Sequence, residues 1–172
     1  MSTFENNDDG SAQLPQLAAP THVGVLQKMR IVIRSAQHHS AATEKVCGVS
    51  GAQLWVMQEL SEAPGLRVGD IAARLAIHQT TASNLLEVLA RKGLILKQRD
   101  SVDQRVVRLA LSPQGAAVIA GAPKPARGLL PDALRRLDPE SLRTLDHGLD
   151  QLLGVMQDVD AAQALQPLPF TM

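Results

Sequence analysis

Between Val68 and Leu111 the apolar pattern changes from the period of helices to the period of strands, and this change limits the chain more than any other feature. Val68, Ile71, Ala72 and Leu75 mark a short amphipathic helix. Ala76-Ile77-His78 forms a turn, and a second helix is predicted from about Gln79 to Lys92, closed by Gly93. Two strands follow, Leu94–Arg99 and Arg105–Leu111, the second with Val107, Leu109 and Leu111 on one face. A polar tip, Asp100 to Gln104, lies between them.

Helix, turn, helix and two-stranded hairpin make a winged helix-turn-helix. At roughly 100° per residue, Gln79, Thr80, Ser83, Asn84, Glu87 and Arg91 fall on one side of the second helix, and Ala82, Leu85, Leu86 and Leu89 on the other. Amides and hydroxyls on the polar side suit base edges in the major groove. A merely solvated face more typically carries Glu and Lys. Charge supports the first reading. The whole chain is neutral, with 17 Lys and Arg against 17 Asp and Glu. Residues 66–108 nevertheless hold eight basic and four acidic side chains, and the remainder nine and 13. The positive segment is the one that would need phosphate contacts.

The flanks read as helix. Val25, Met29, Val32 and Ala36 form a stripe in a helix running to about His39. Ser50 and Gln53 form a capping box opening a helix that ends near Leu60. Ser112-Pro113 starts another, interrupted by Gly121, Pro123 and Pro125 and restarted at Pro131. Behind Asp138-Pro139, the residues Leu142, Leu145, Leu149, Leu152 and Met156 form a heptad seam. This seam and the Val25–Ala36 stripe are too apolar to face water alone. Residues 1–20 are expected to be a loose tail and 161–172 a frayed one. The organisation predicted is one domain over 21–160, with the winged helix at about 50–112 and flanking helices at about 21–48 and 113–160.

Composition removes several classes. At 172 residues and 45% hydrophobic, the chain fits one domain with tails. Aromatics are just Phe4, Trp55 and Phe170, so a core of Leu, Val, Ile and Ala, and a mainly helical fold, are expected. One cysteine, Cys47, excludes an intrachain disulfide and suits a reducing cytoplasm. No apolar run approaches the roughly 20 residues of a membrane helix. Glu5, Asp8 and Asp9 precede any Lys or Arg, unlike a signal peptide. No glycine-rich phosphate loop, nucleophile elbow or zinc motif is present, so neither an enzyme nor a cofactor is expected.

Lys92-Gly93-Leu94-Ile95, Arg99-Asp100, Asp103-Gln104-Arg105 and Leu109-Ala110-Leu111-Ser112-Pro113-Gln114-Gly115 occur in series. In this the stretch from Ile71 to Gly115 resembles the MarR family of bacterial transcriptional regulators. The resemblance implies a cytoplasmic homodimer on a roughly palindromic double-stranded DNA operator, a repressor released by a small-molecule effector. Helices from both chain ends would form the interface, here through Val25, Met29, Leu142, Leu145, Leu149 and Leu152. The second motif helix would enter the major groove with Gln79, Thr80, Ser83, Asn84 and Arg91. Arg105 would enter the minor groove, Asp103 would brace it or its loop, and Arg99 would meet phosphate or brace the wing. The effector pocket would lie between the dimer helices and the DNA-binding lobe, with Arg34, His38 and Trp55 as candidate lining residues.

Two positions depart from the family pattern. His78 stands where many relatives place a better cap, and Asn84 where many carry arginine. The Gly121–Pro131 stretch is compatible with a kinked arm or with a bend that shapes a pocket. Cys47 is a candidate redox trigger, although the chain has no tyrosine to assist it. His38-His39 with His22 or Cys47 is a weaker candidate for metal. An interaction adaptor that keeps the winged helix without binding DNA is the remaining alternative.

Overall fold

The polar stretch after His39 does not end the first helix, because Ala41, Ala42, Glu44 and Lys45 all favour helix. Helix α1 therefore spans His22–Cys47, eight residues beyond the predicted end. It stops at Gly48, whose φ of +66° a side chain would resist. The computed structural model describes residues 21–100 and 103–172, so the expected tail 1–20 and the wing-tip residues Ser101 and Val102 lie outside the described residues. The chain divides into two units, residues 1–34 and 35–172. The described part of the first is the opening stretch of α1, on which Val25, Leu26, Met29, Val32 and Ile33 are all exposed.

The second unit is organised around α2 (Gly51–Glu62). The Ser50 hydroxyl accepts from the Gln53 backbone N–H at 3.3 Å, and the Ser50 N–H donates to the Gln53 side chain at 3.2 Å, closing the capping box. Leu54, Val56, Met57 and Leu60 of α2 are buried. They pack in one cluster with buried residues of α3 (Val68–Leu75), α4 (Gln79–Arg91), β1 (Ile95–Arg99) and β2 (Val107–Leu111). Each large side chain so buried contributes roughly 1.5–3 kcal/mol.

Strands β1 and β2 pair antiparallel, from Ile95 opposite Leu111 to Arg99 opposite Val107. A third piece of backbone joins them. Leu66 bridges Leu109, with the Leu109 N–H donating to the Leu66 carbonyl at 3.0 Å. The hairpin is thus tied to the loop between α2 and α3 rather than standing free.

Ser112 caps α5 (Pro113–Gly121) by accepting from the Gly115 N–H at 3.0 Å. The helix stops before Pro123, and the chain resumes as α6 (Leu129–Arg136) and α7 (Pro139–Val155). No residue of α6 or α7 is buried.

The last residues do not fray as expected. They form two 3₁₀ turns, Ala161–Leu165 and Pro169–Thr171, held by bonds to distant parts of the chain. The Ser40 hydroxyl donates to the Phe170 carbonyl at 2.7 Å, and the His78 N–H to the Leu165 carbonyl at 3.0 Å. Prolines 167 and 169 remove helical bonding within the segment, and these outside partners take its place.

Candidate nucleic-acid interface

Helix α4 sorts its residues as its period requires. Ala82, Leu85, Leu86 and Leu89 are buried, while Gln79, Thr80, Ser83, Asn84, Glu87 and Arg91 are exposed. These buried side chains pack α4 into the core with α2 and α3, which leaves the polar row on the outer face. His78, the N-cap, makes no side-chain capping bond. Thr81, between the two faces, is buried, and its hydroxyl lies 3.4 Å from the Gln166 side chain.

The hairpin adds exposed cations. Arg99 and Arg105 are exposed. The wing's ion pair joins Arg108 to Asp100, and Arg108 also donates to the Gly65 carbonyl at 3.3 Å. Asp103 braces backbone. Its carboxylate accepts from the Arg105 N–H at 3.0 Å, and its carbonyl from the Val106 N–H at 2.9 Å. Of the two roles open to Asp103, holding the loop is the one the geometry contains. The Arg105 guanidinium has no ion-pair partner among the described residues, and so is available to an outside anion. On α4, Glu87 is drawn to Lys97 at 2.7 Å, which removes one carboxylate's repulsion from this face.

A cavity of about 200 Å³ lies behind this lobe. One wall is Ala36, His39, Ser40 and Thr43 of α1; Trp55 of α2 and Phe170 of the chain's end contribute others. Of the candidate lining residues, Trp55 is present, and Arg34 and His38 are not. The α1 face toward the cavity repeats at 36, 39/40 and 43, and His38 is out of phase with it and exposed. His39 takes the place read for its neighbour, and its Nε2 donates to the Pro125 carbonyl at 3.0 Å.

An ion cluster was not legible in the sequence. Glu59, only 5% exposed, meets Arg127 at 2.7 Å, Arg74 at 2.9 Å and the Trp55 indole N–H at 3.0 Å. Arg127 also pairs with Glu62. The proline-rich stretch is thereby fastened to α2 and, through Glu59, to α3. Burial works to raise the Glu59 pKa, but the hydrogen bonds from Arg127, Arg74 and Trp55 outweigh it and hold the carboxyl below its ordinary value. The hydrogen bond from Arg127 holds Glu62 at about 2 rather than 4.5. Carboxyls depressed on folding stabilise the fold above their unfolded pKa and lose that contribution as pH falls through the folded value. The urea midpoint should therefore drop between pH 4.5 and about 2. It should drop less steeply in Arg127→Met, which removes the cation holding both carboxyls down. Parallel pH curves for the two proteins would remove the cluster from the account.

Other candidates carry less. Burial pushes the Cys47 thiol above its ordinary pKa, the reverse of what a reactive thiolate requires. No group of three or more His, Cys, Asp or Glu among the described residues is placed to hold a metal. No helix among them is long and apolar enough to cross a membrane.

Residues 48–106 match the model of the MarR family. The HTH-type transcriptional repressor MdtR of Bacillus subtilis is 32% identical over 68 residues, which are 40% of this chain and 44% of that protein. The match thus spans less than half the length of that curated relative. A solved MepR-like protein, complexed with pseudoligands, aligns with a TM-score of 0.55 at 19% identity, over 77% of this chain and 94% of its own. The transcriptional regulator BldR from Sulfolobus solfataricus aligns with a TM-score of 0.51 at 23% identity, over 78% and 95%. At these identities the structural likeness is one of fold.

Proposed function

We propose, from the match of residues 48–106 to the MarR family model, that the chain is a sequence-specific DNA-binding transcriptional regulator of that kind, acting as a homodimer. The observation that carries the reading is the outer face of α4. It offers Gln79, Thr80, Ser83 and Asn84 to base edges, beside a hairpin whose Arg105 has no ion-pair partner among the described residues. Amide and hydroxyl groups read the major groove, and a free guanidinium suits the negative potential of a narrow minor groove. Arg91 and Arg99 serve as phosphate contacts. An adaptor without DNA has no use for this combination. The exposed leucines of α7 and the exposed stripe of Val25 and Met29 support a second copy as the cover for both. The cavity behind the lobe supports a small-molecule effector, and repression relieved by that effector is the regulatory mode we assign. A redox mode through Cys47 is disfavoured by its raised pKa.

A pair of substitutions tests the reading. Arg105→Ala should weaken operator binding by roughly 1–3 kcal/mol and lower the salt slope by about one. Asn84→Ala should relax preference at one or two symmetric base positions and leave the salt slope nearly unchanged. Titrations over a salt series and over single-base operator variants, with melting temperature as the folding control, read both. An Arg105→Ala protein that binds the operator as wild type does would take the wing out of the interface. A wild type with no affinity for any selected duplex would leave the adaptor reading.

A further inference from the structure

The cavity behind the DNA-binding lobe has a composition that restricts its occupant. Its cation is spoken for, because Arg127 is fastened to both Glu59 and Glu62. The His39 Nε2 proton is given to the Pro125 carbonyl, and the Ser40 hydroxyl to the Phe170 carbonyl. Among the described residues of the wall, one fully buried side-chain polar atom is left over. Thr43 is 1% exposed, and its hydroxyl has no hydrogen-bond partner among the described residues. A buried hydroxyl in that condition is costly, and a ligand that satisfies it recovers the cost. The remaining wall is mainly apolar, with Ala36, Trp55 and Leu168 as examples.

The segment that carries the two 3₁₀ turns forms one wall of the space. Ala164, Gln166, Pro167, Leu168, Phe170 and Thr171 all line it. The fit is close, since a Cβ on Gly51 would lie 3.1 Å from the Ser40 hydroxyl and 3.5 Å from the Thr171 Cβ. The same segment touches the start of α4, through the Leu165 carbonyl on the His78 N–H and through Gln166 beside Thr81.

We propose that this cavity binds a neutral, mainly apolar molecule of fragment size through one hydrogen bond to Thr43, with the C-terminal segment as one wall of the site. A carboxylate finds no free cation there, so anionic aromatics are selected against. The volume, about 200 Å³, falls below the roughly 300–1,000 Å³ of sites for larger ligands. This deepens the effector reading given above by naming the ligand's chemistry, and it rests on that reading only for its effect on DNA.

The test needs no DNA. Trp55 is the single tryptophan and lines the site, so its fluorescence reports occupancy. The probes are 4-propylphenol, 4-propylbenzoate and propylbenzene, titrated against the full chain. The phenol should bind about tenfold or more tighter than the benzoate, and severalfold tighter than propylbenzene. Thr43→Val should erase the phenol's advantage over propylbenzene, and Thr43→Ser should keep it. Phe170→Ala should weaken all binding. Benzoate binding as tightly as phenol overturns the proposal, as does an undiminished phenol advantage in Thr43→Val or unchanged affinity in Phe170→Ala. If the three probes behave as expected but the phenol leaves operator binding unchanged, the site stands and the effector role falls.

Discussion

Replacing Gly115 by alanine should destabilise the protein by about 3 kcal/mol or more. Gly115 lies in the first turn of α5, where the Ser112 hydroxyl accepts its N–H. The Ser112 N–H in turn donates to the Leu94 carbonyl at 3.0 Å. That carbonyl is drawn so close that a Cβ on Gly115 would stand 2.0 Å from its oxygen and 3.0 Å from its carbon. Both atoms are backbone, so no rotamer change relieves the clash. Either α5 moves away from the start of the hairpin or the Ser112 bond breaks. At about 2–4 °C per kcal/mol for a protein of this size, the melting temperature should fall by around 10 °C. Gly69→Ala is the control, because nothing lies within 4 Å of its Cβ and the residue is helical. That change should raise stability by about 0.5–1 kcal/mol. A Gly115→Ala protein that melts with wild type would mean that α5 is not held against Leu94.

Gly115 also shows what could and could not be read from the chain. The run Leu109 to Gly115 was legible as a pattern, but the reason for its glycine is a carbonyl 21 residues earlier, which no local period encodes. Helix α4 was legible apart from Thr81, which is buried although the sequence reading gave it no place on the apolar face. Ala82, Leu85, Leu86 and Leu89 repeat at helical spacing, and that spacing alone separates the buried from the exposed face. The α2 cap was legible for a similar reason, since both of its partners lie within three residues. Where structure depends on phase or distance, the reading failed. The end of α1 was placed early because its last turns carry small and charged residues without an apolar stripe. The phase of α1 against the cavity was a separate miss, since His38 was read as a lining residue and His39 is the one that lines it. The Glu59–Arg127 pair spans 68 positions, and its one local hint is a carboxylate set among the buried residues of α2. The C-terminal segment has no period at all. Two prolines read as fraying, whereas its carbonyls at Leu165 and Phe170 meet donors on His78 and Ser40.

The second large effect concerns assembly. Leu145→Asp with Leu149→Asp should convert a dimer to monomers or aggregates and reduce operator binding by orders of magnitude. Helix α7 has no buried residue, yet Leu142, Leu145, Leu149, Leu152 and Met156 repeat along one side and are 37–53% exposed. A contiguous apolar face of this kind marks an interface in a protein that stays in solution. The heptad spacing fits a helix from a second copy packing along the seam. Covering each leucine contributes up to roughly 1.5–3 kcal/mol, so the seam is a large share of the interface energy. Two aspartates replace that gain with two desolvated charges, which no cation on the seam compensates. On the proposed function, DNA binding depends on assembly, because two half-sites about one helical turn apart would need both lobes at once, and a single lobe would lose half of the phosphate contacts. Sedimentation at micromolar concentration measures the first effect and operator titration the second. Far-UV circular dichroism distinguishes monomers that keep the winged helix, whose core excludes α7, from chains that have lost it. A wild type that sediments as a monomer, or a double variant that remains dimeric on DNA, would place the interface elsewhere than on α7.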